Sequence, residues 1–309
     1  MPTDKYTRKE LERIASQLVG EKVTLIPIGN HDLNRHLVYK LTTSENQHFV
    51  FKYFYQSHYA SREIAALKYL ATHKLPVPKI INSGALDDQR TWLLMTYIEG
   101  LPMMKILRHI PIEQQLRLFE ELGKVLKAFH TVHFDHFGTW NTLQLTTPLS
   151  LKTAYQPKLD FLDQRLADPD LPNREWLNLA WKYLEDHMSC LDYATEAVLC
   201  HQDFDARNIL IRKIGENYEI TAVLDFEHSV PWDSYADFSQ LYLKHFYDHP
   251  ELEVAFFRGY HPSFHSDPHF DERFKYHLLY YTLSACSWAY DIAPDFYEMC
   301  MKTLKRLLK

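Results

Sequence analysis

One run constrains the fold of this chain more than any other: Leu199-Cys200-His201-Gln202-Asp203-Phe204-Asp205-Ala206-Arg207-Asn208-Ile209-Leu210-Ile211. Its apolar ends predict two short strands, and the polar middle predicts a loop held between them. Asp203 and, five positions later, Asn208 lie in that loop. A second apolar, β-rich run, Ile220-Thr221-Ala222-Val223-Leu224, leads directly into Asp225-Phe226-Glu227. Strand ends thus deliver two carboxylates and an amide from one small hairpin system, and side chains carried this way are held still. The set suits magnesium-dependent phosphoryl transfer, which needs a carboxylate near the attacking hydroxyl and hard oxygen ligands for the metal on the phosphates. An Asp and an Asn in a loop also serve as plain turn and capping residues.

The order His201-x-Asp203-x4-Asn208, followed by an apolar strand ending in Asp225, resembles the aminoglycoside phosphotransferase and choline kinase family of small-molecule kinases. The resemblance implies an α+β, protein-kinase-like bilobal fold. Residues 1–99 would be a nucleotide-binding lobe, an antiparallel sheet with a helix that ends in the hinge. Residues 100–309 would be a mainly helical lobe carrying the catalytic loop and the acceptor site. It further implies that Asp203 orients the acceptor hydroxyl and that Asn208 and Asp225 hold Mg²⁺ on the phosphates of ATP, with GTP left open as donor. His201 would brace the loop, and Asp237 would accept hydrogen bonds from its backbone. An acid in the first turn of a helix, favoured by the helix dipole, is compatible with that role for Asp237. Gln202 stands where the antibiotic kinases usually carry Gly and protein kinases carry Arg, which argues against control by activation-loop phosphorylation. For Glu227 three readings stay open: a further metal ligand, a residue facing the acceptor, or a solvated acid.

Composition bounds the rest. The 309 residues suffice for one large domain or two lobes, and 46% hydrophobic with 24% charged residues is an ordinary globular balance. With net charge −6 and no basic stripe, nucleic acid is excluded as an expected partner. Cys190, Cys200, Cys286 and Cys300 show no Cys-x-x-Cys spacing and read as reduced, buried thiols of a cytoplasmic protein. The amphipathic start does not look like a signal peptide, and no run reaches the length of a membrane span. Oligomeric state is left unassigned.

Along the chain, Tyr6 to Val19 predicts a helix burying Leu11, Ile14, Ala15 and Leu18, with Gly20 as its stop. Val23 to Ile28 and Leu37 to Leu41 predict a hairpin. The family places such a hairpin over the nucleotide phosphates, and Gly29 with Asn34 resembles its loop, although no Gly-x-Gly-x-x-Gly is present. An ordinary turn and a phosphate clamp are equal readings there. Gln47 to Phe54 predicts a strand with Lys52 as the only charge in its apolar middle. On its own Lys52 reads as a snorkelling side chain; by resemblance it contacts the α- and β-phosphates. That lysine needs an acidic partner, and Glu63 supplies one on the face of the next helix that carries Ala66, Leu67 and Leu70. Leu75 to Ile81 should enter a strand, and Trp92 to Ile98 another. In the family, Met95 would back the base pocket while the Thr96 carbonyl and Ile98 amide bind the adenine edge. A plain buried strand before a Gly turn fits the same residues.

Beyond Gly100 the chain turns mainly helical. Pro111 opens a helix to about His130, with Leu116, Phe119, Leu122, Leu126 and Phe129 at helical spacing. Two more helices are expected over 149–166 and 174–194, a loop over 227–232, a helix opened by Asp233, and three helices after it. From Asp225 to Cys300, thirteen Asp and Glu stand against four Lys and Arg. Such an acidic segment suits a cationic acceptor such as an aminoglycoside or amino alcohol; a solvated acidic surface is an equal reading. Seven histidines fall there without a His-Glu-x-x-His motif, and no zinc site is expected. Three functions remain: a kinase for a cationic hydroxyl compound, a metabolic kinase for a sugar or glycated amine, and a pseudokinase binding module without transfer activity.

Overall fold

The computed structural model describes residues 6–29, 31, 36–86, 90–261 and 266–309. Asn30 and Asn34, with most of the predicted phosphate-covering turn, lie outside the described residues. The chain opens with helix α1, Arg8–Val19. Thr7 and Glu10 close a reciprocal capping box at its start, and Gly20 ends it with φ of 82°, a left-handed conformation that glycine adopts without steric cost. Leu11 and Ala15 are buried as the spacing predicts, but Leu18 is 38% exposed. A twelve-residue helix presents only a narrow stripe to one sheet, and Leu18 falls at its margin.

Strands β1 (Val23–Ile28), β2 (His36–Thr43) and β3 (His48–Phe54) follow, then helix α2 (Ser57–Leu70) and strands β4 (Ile80–Ala85) and β5 (Thr91–Thr96). Among the described residues these strands form one antiparallel sheet in the order β1-β2-β3-β5-β4. β4 begins later than the sequence predicts, because Pro76 and Pro78 cannot donate to a ladder. Leu25, Leu41, Phe51, Trp92 and Leu94 build the core between α1 and the sheet.

A two-residue strand β6 (Leu101–Pro102) pairs with β9 (Ile209–Ile214), which neighbours β10 (Asn217–Val223). Gly100 makes that docking possible. A Cβ there would sit 2.9 Å from Thr221 Oγ1 and 3.1 Å from the Ile211 carbonyl, so no side chain fits. The described residues as far as Met103, with Asn208–Arg212 and Thr221–His228, form one compact unit. Met104–Arg207, Lys213–Ile220 and Ser229–Lys309 form the second.

The second unit is mainly helical: α3 (Met104–Leu107), α4 (Ile112–His130), α5 (Leu151–Leu166), α6 (Arg174–Asp186), α7 (Phe238–Leu241), α8 (Pro250–Tyr260), α9 (Phe270–Ile292) and α10 (Pro294–Leu307). α4 and α8 cross at glycines: a Cβ on Gly123 would strike the Phe256 carbonyl, and one on Gly259 the Glu120 carbonyl. Leu118, Phe119, Leu122, Leu126 and Phe129 form the buried stripe of α4, while Leu116 is half-buried. The helix expected to reach residue 194 ends at Asp186 and resumes as a 3₁₀ segment, Met188–Tyr193.

Residues 227–232, expected as a loop, hold more structure. Phe226–His228 is a 3₁₀ turn and β11 (Val230–Trp232) pairs with β8 (Ala197–Cys200), which also pairs with β7 (His133–Phe134). β11 is an edge strand, and an edge tolerates Pro231 where a central strand would not. All four cysteines are free and buried. Among the described residues no helix is long and apolar enough to cross a membrane.

Candidate active site

The first unit gathers a buried charge cluster around Lys52. Lys52 lies in the middle of β3, opposite Val38 on β2 and Leu93 on β5, and is 3% exposed. Its head does not reach water, so snorkelling is not its role. Instead Nζ lies 2.7 Å from Glu63 Oε2, 2.7 Å from Asp225 Oδ1 and 3.3 Å from Glu227 Oε2. Glu63 reaches it from the buried face of α2, which also carries Ala60, Ala66, Leu67 and Leu70. His36 at the start of β2 adds a fourth neighbour, its Nδ1 2.8 Å from Glu227 Oε2.

Local backbone geometry explains how the acids arrive. Asp225 follows β10 with φ of 67°, a left-handed conformation that Asp tolerates better than most residues. The Leu224 amide donates to the Asn208 carbonyl at 2.8 Å, which ties Asn208, at the head of β9, to the end of β10. Glu227 sits in the 3₁₀ turn next to it and is fully buried, which removes the solvated-acid reading. With His36 and Lys52 both on Oε2, that oxygen is committed to the cluster.

One ammonium thus faces three carboxylates. Burial opposes the charge on Lys52, but Asp225, Glu63 and Glu227 together hold its pKa above the usual lysine range. Asp225 is only part-buried, its side chain 23% exposed; burial pushes its carboxyl up, but Lys52 and His36 outweigh it and keep it below the usual range. Burial pushes Glu227 up; His36 and Lys52 outweigh it and bring it down. Glu63 goes the other way: burial lifts it to about 7, because Lys52 divides its charge among three acids.

The second unit holds His201, Asp203 and Asp237. Asp237 accepts from the backbone amides of His201, at 2.8 Å to Oδ2, and Gln202, at 2.6 Å to Oδ1. Gln202 has φ of 64°, so the loop takes a left-handed turn at the position where Gly would be free of strain. The His201 ring accepts from the Asp203 amide through Nδ1 at 3.2 Å, bracing the loop from inside. Asp203 itself is contacted at Oδ1 by Gln240 Nε2 and by Arg207 Nη2, at 2.5 and 3.3 Å.

Sequence reasoning missed several partners. His130 Nε2 lies 3.1 Å from Asp237 Oδ2 while its Nδ1 meets the Tyr260 hydroxyl at 2.7 Å, so a Tyr–His pair backs the loop-holding acid. Asp205 is buried beneath Arg207 and Lys244. His36 was missed as well, since a lone His at a strand start carries no pattern. The charge of Arg207, next to Asn208 in the chain, was the one available signal.

Of the predicted nucleotide contacts, Met95 is buried on β5 between Val50 and Ile80. Thr96 ends that strand, its hydroxyl accepting from the Lys79 amide at 2.9 Å, and Ile98 lies beyond it.

The model of the phosphotransferase enzyme family matches residues 27–273, most of the chain. The chain belongs to this family. It is therefore a phosphotransferase. The chain is similar in fold to aminoglycoside phosphotransferase APH(4)-Ia, with a TM-score of 0.70 at 15% identity over 98% of both chains. A thermostable variant of that enzyme in ternary complex with ADP and hygromycin B gives 0.69 at 15% identity, over 96% of this chain and 97% of the other. The GDP complex of aminoglycoside 2'-phosphotransferase-IIIa gives 0.67 at 15% identity over 96% of each. No curated protein matches the chain. The fold is the protein-kinase-like fold of the aminoglycoside kinases, with an antiparallel N-terminal sheet and a helical C-terminal region.

Proposed function

We propose that this phosphotransferase moves the γ-phosphoryl group of ATP, or GTP, to a hydroxyl of a small molecule. The observation that carries the reading is Lys52 Nζ held 2.7 Å from both Glu63 and Asp225. A buried lysine fixed between a helix acid and a strand-end acid is the part that neutralises nucleotide phosphates in this chemistry. Residues 1–99 would serve the nucleotide, with Met95, Thr96 and Ile98 lining the base position, and residues 100–309 the acceptor. Asn208 and Asp225 fit Mg²⁺: both offer oxygen, and the Leu224–Asn208 hydrogen bond keeps their strand ends together. A bound Mg²⁺ would supply charge neutralisation on the phosphates. Glu227 is a poorer ligand, being shared between His36 and Lys52. Asp203 would orient the attacking hydroxyl and take its proton; His201 and Asp237 hold the loop that carries it.

For the acceptor, the acidic surplus of residues 225–300 and the hygromycin B complex of a structural neighbour support a cationic hydroxyl compound. A second reading, an uncharged sugar, is favoured by how those acids are used. Asp233 is taken by Arg273 and His277, Asp267 by Tyr235 and Arg273, and Asp237 by the loop amides. A cytoplasmic site of action accords with the nucleotide donor and the free cysteines.

Calorimetric titration with ATP and GTP, with Mg²⁺ and with EDTA, tests the first half: binding should require Mg²⁺. Asp203→Ala should abolish turnover and keep nucleotide affinity. Loss of binding in that variant would refute its role. A labelled-phosphate screen of hygromycin B, choline and neutral sugars then decides the acceptor class.

A further inference from the structure

Asp203 belongs to a closed circuit of side chains, all in the second unit. Gln240 Nε2 donates to Asp203 Oδ1 at 2.5 Å, and Arg207 Nη2 donates to the same oxygen at 3.3 Å. Arg207 Nε donates to Asp205 Oδ1 at 2.5 Å, and Lys244 Nζ lies 3.3 Å from Asp205 Oδ2. Lys244 Nζ also donates to Gln240 Oε1 at 3.0 Å, which returns the circuit to its start. Each donor meets an acceptor. The amide of Gln240 has one workable orientation: reversed, its oxygen would face a carboxylate and its nitrogen an ammonium.

The supporting residues come from one short segment. Gln240 and Lys244 stand four positions apart, in a helical stretch that passes from α7 into a π turn over Tyr242–Phe246. Asp237, just before α7, grips the His201 and Gln202 amides. Residues 237–244 therefore hold the loop twice, by its backbone and by its functional side chain. Asp205 is the buried anchor, 2% exposed, while the Arg207 side chain is 44% exposed.

We propose that Gln240 and Lys244 are positioning residues for the Asp203 carboxylate, acting through the Asp203–Arg207–Asp205–Lys244–Gln240 circuit. The inference rests on Asp203 orienting the acceptor hydroxyl, as proposed above. Gln240 fixes one carboxylate oxygen directly. Lys244 acts at one remove, by locking the Gln240 amide and by anchoring Asp205, which in turn aims Arg207. Misplacing a reacting group by about 1 Å can cost on the order of a hundredfold in rate, so a loosened Asp203 should show in kcat rather than in nucleotide binding.

The test compares the full-length wild type with Gln240→Leu and Lys244→Met. Turnover of MgATP with hygromycin B, choline and neutral sugars is separated into kcat and KM, MgATP affinity is measured by calorimetry, and the Arg207 Nε–H signal is followed by NMR. In both variants kcat should fall about 10- to 100-fold with the KM and Kd for ATP within about twofold of wild type. Lys244→Arg should recover most of the rate, and the Arg207 Nε–H signal should broaden in Lys244→Met. A kcat within about threefold of wild type, or an equal loss of ATP affinity, overturns the proposal. If Lys244→Met does not fold, Gln240→Glu replaces it, setting a carboxylate against Asp203 in the same shape. A wild type that binds MgATP but phosphorylates none of these acceptors counts against the functional reading instead. The circuit is then judged by the Arg207 signal, and an unchanged signal in Lys244→Met overturns it.

Discussion

The Lys52 cluster and the Asp203 circuit are built from the same residue types with opposite bookkeeping of charge. Around Lys52, one ammonium meets three carboxylates, with His36 beside them. In the circuit, Asp203 and Asp205 are matched by Arg207 and Lys244, and a neutral amide joins the ends. Surplus negative charge in a buried place is a standing attraction for a cation, and under the proposed function a metal ion arriving on a nucleotide would relieve it. A balanced circuit gains little from any incoming charge, so what it contributes is geometry. The difference teaches that the first region is arranged to receive something and the second to hold something in place.

The comparison breaks most visibly at Lys52. Lys52→Met would strand two buried carboxylates and the part-buried Asp225, and should destabilise the fold by about 3–5 kcal/mol, in addition to weakening nucleotide binding. Chemical denaturation and calorimetry would check it; a variant as stable as wild type would mean the acids are already neutral.

Next in size is Asp205→Asn, which leaves two cations facing an amide. Because Arg207 is partly in water, the expected cost is about 1–3 kcal/mol. This loss carries a pH signature. Burial raises the Asp205 carboxyl, but His245, Lys244 and Arg207 outweigh it and hold it below the ordinary value of 3.8. Below 3.8 the unfolded chain therefore binds a proton that the folded chain refuses, so this stability is complete above that pH and lost as pH falls through the folded value. Stability measured against pH should show a shallower acid limb in Asp205→Asn; an unchanged limb would separate Asp205 from the circuit.

The smallest effect should come from Glu227→Gln. Taking one acid from a surplus is tolerated, so stability should stay within about 1 kcal/mol of wild type or rise. A loss as large as that of Asp205→Asn would erase the contrast between the two regions.

How much of this was legible in the sequence depends on the range of the pattern. The pairing of Lys52 with Glu63 was legible, because Lys52 is the only charge in the apolar middle of its strand, the family resemblance asks for an acidic partner, and helical spacing puts Glu63 among Ala66, Leu67 and Leu70. The grip of Asp237 on the loop was legible only through family resemblance, since an acid before a helix has a local explanation of its own. Val230–Trp232 was read as a loop, because Pro231 argues against a strand until the strand is known to be an edge. The acidic count of residues 225–300 pointed to a cationic partner, yet Asp233 and Asp267 are held by Arg273 from a helix six to forty positions away.

By itself the sequence determined the local elements, the order of the motifs, and which charges sit on apolar faces, since these follow from periods of two and 3.6 residues and from turn chemistry. Only the tertiary structure decided which charges distant in the chain meet. That Lys52 also serves Asp225 and Glu227, that His36 reaches Glu227, and that Gln240 reaches Asp203 depend on contacts between residues 37 to 191 positions apart. No local period carries such information: the pairings are set by how strand ends and helix faces pack, and the cost of leaving a buried charge unpaired then selects among them.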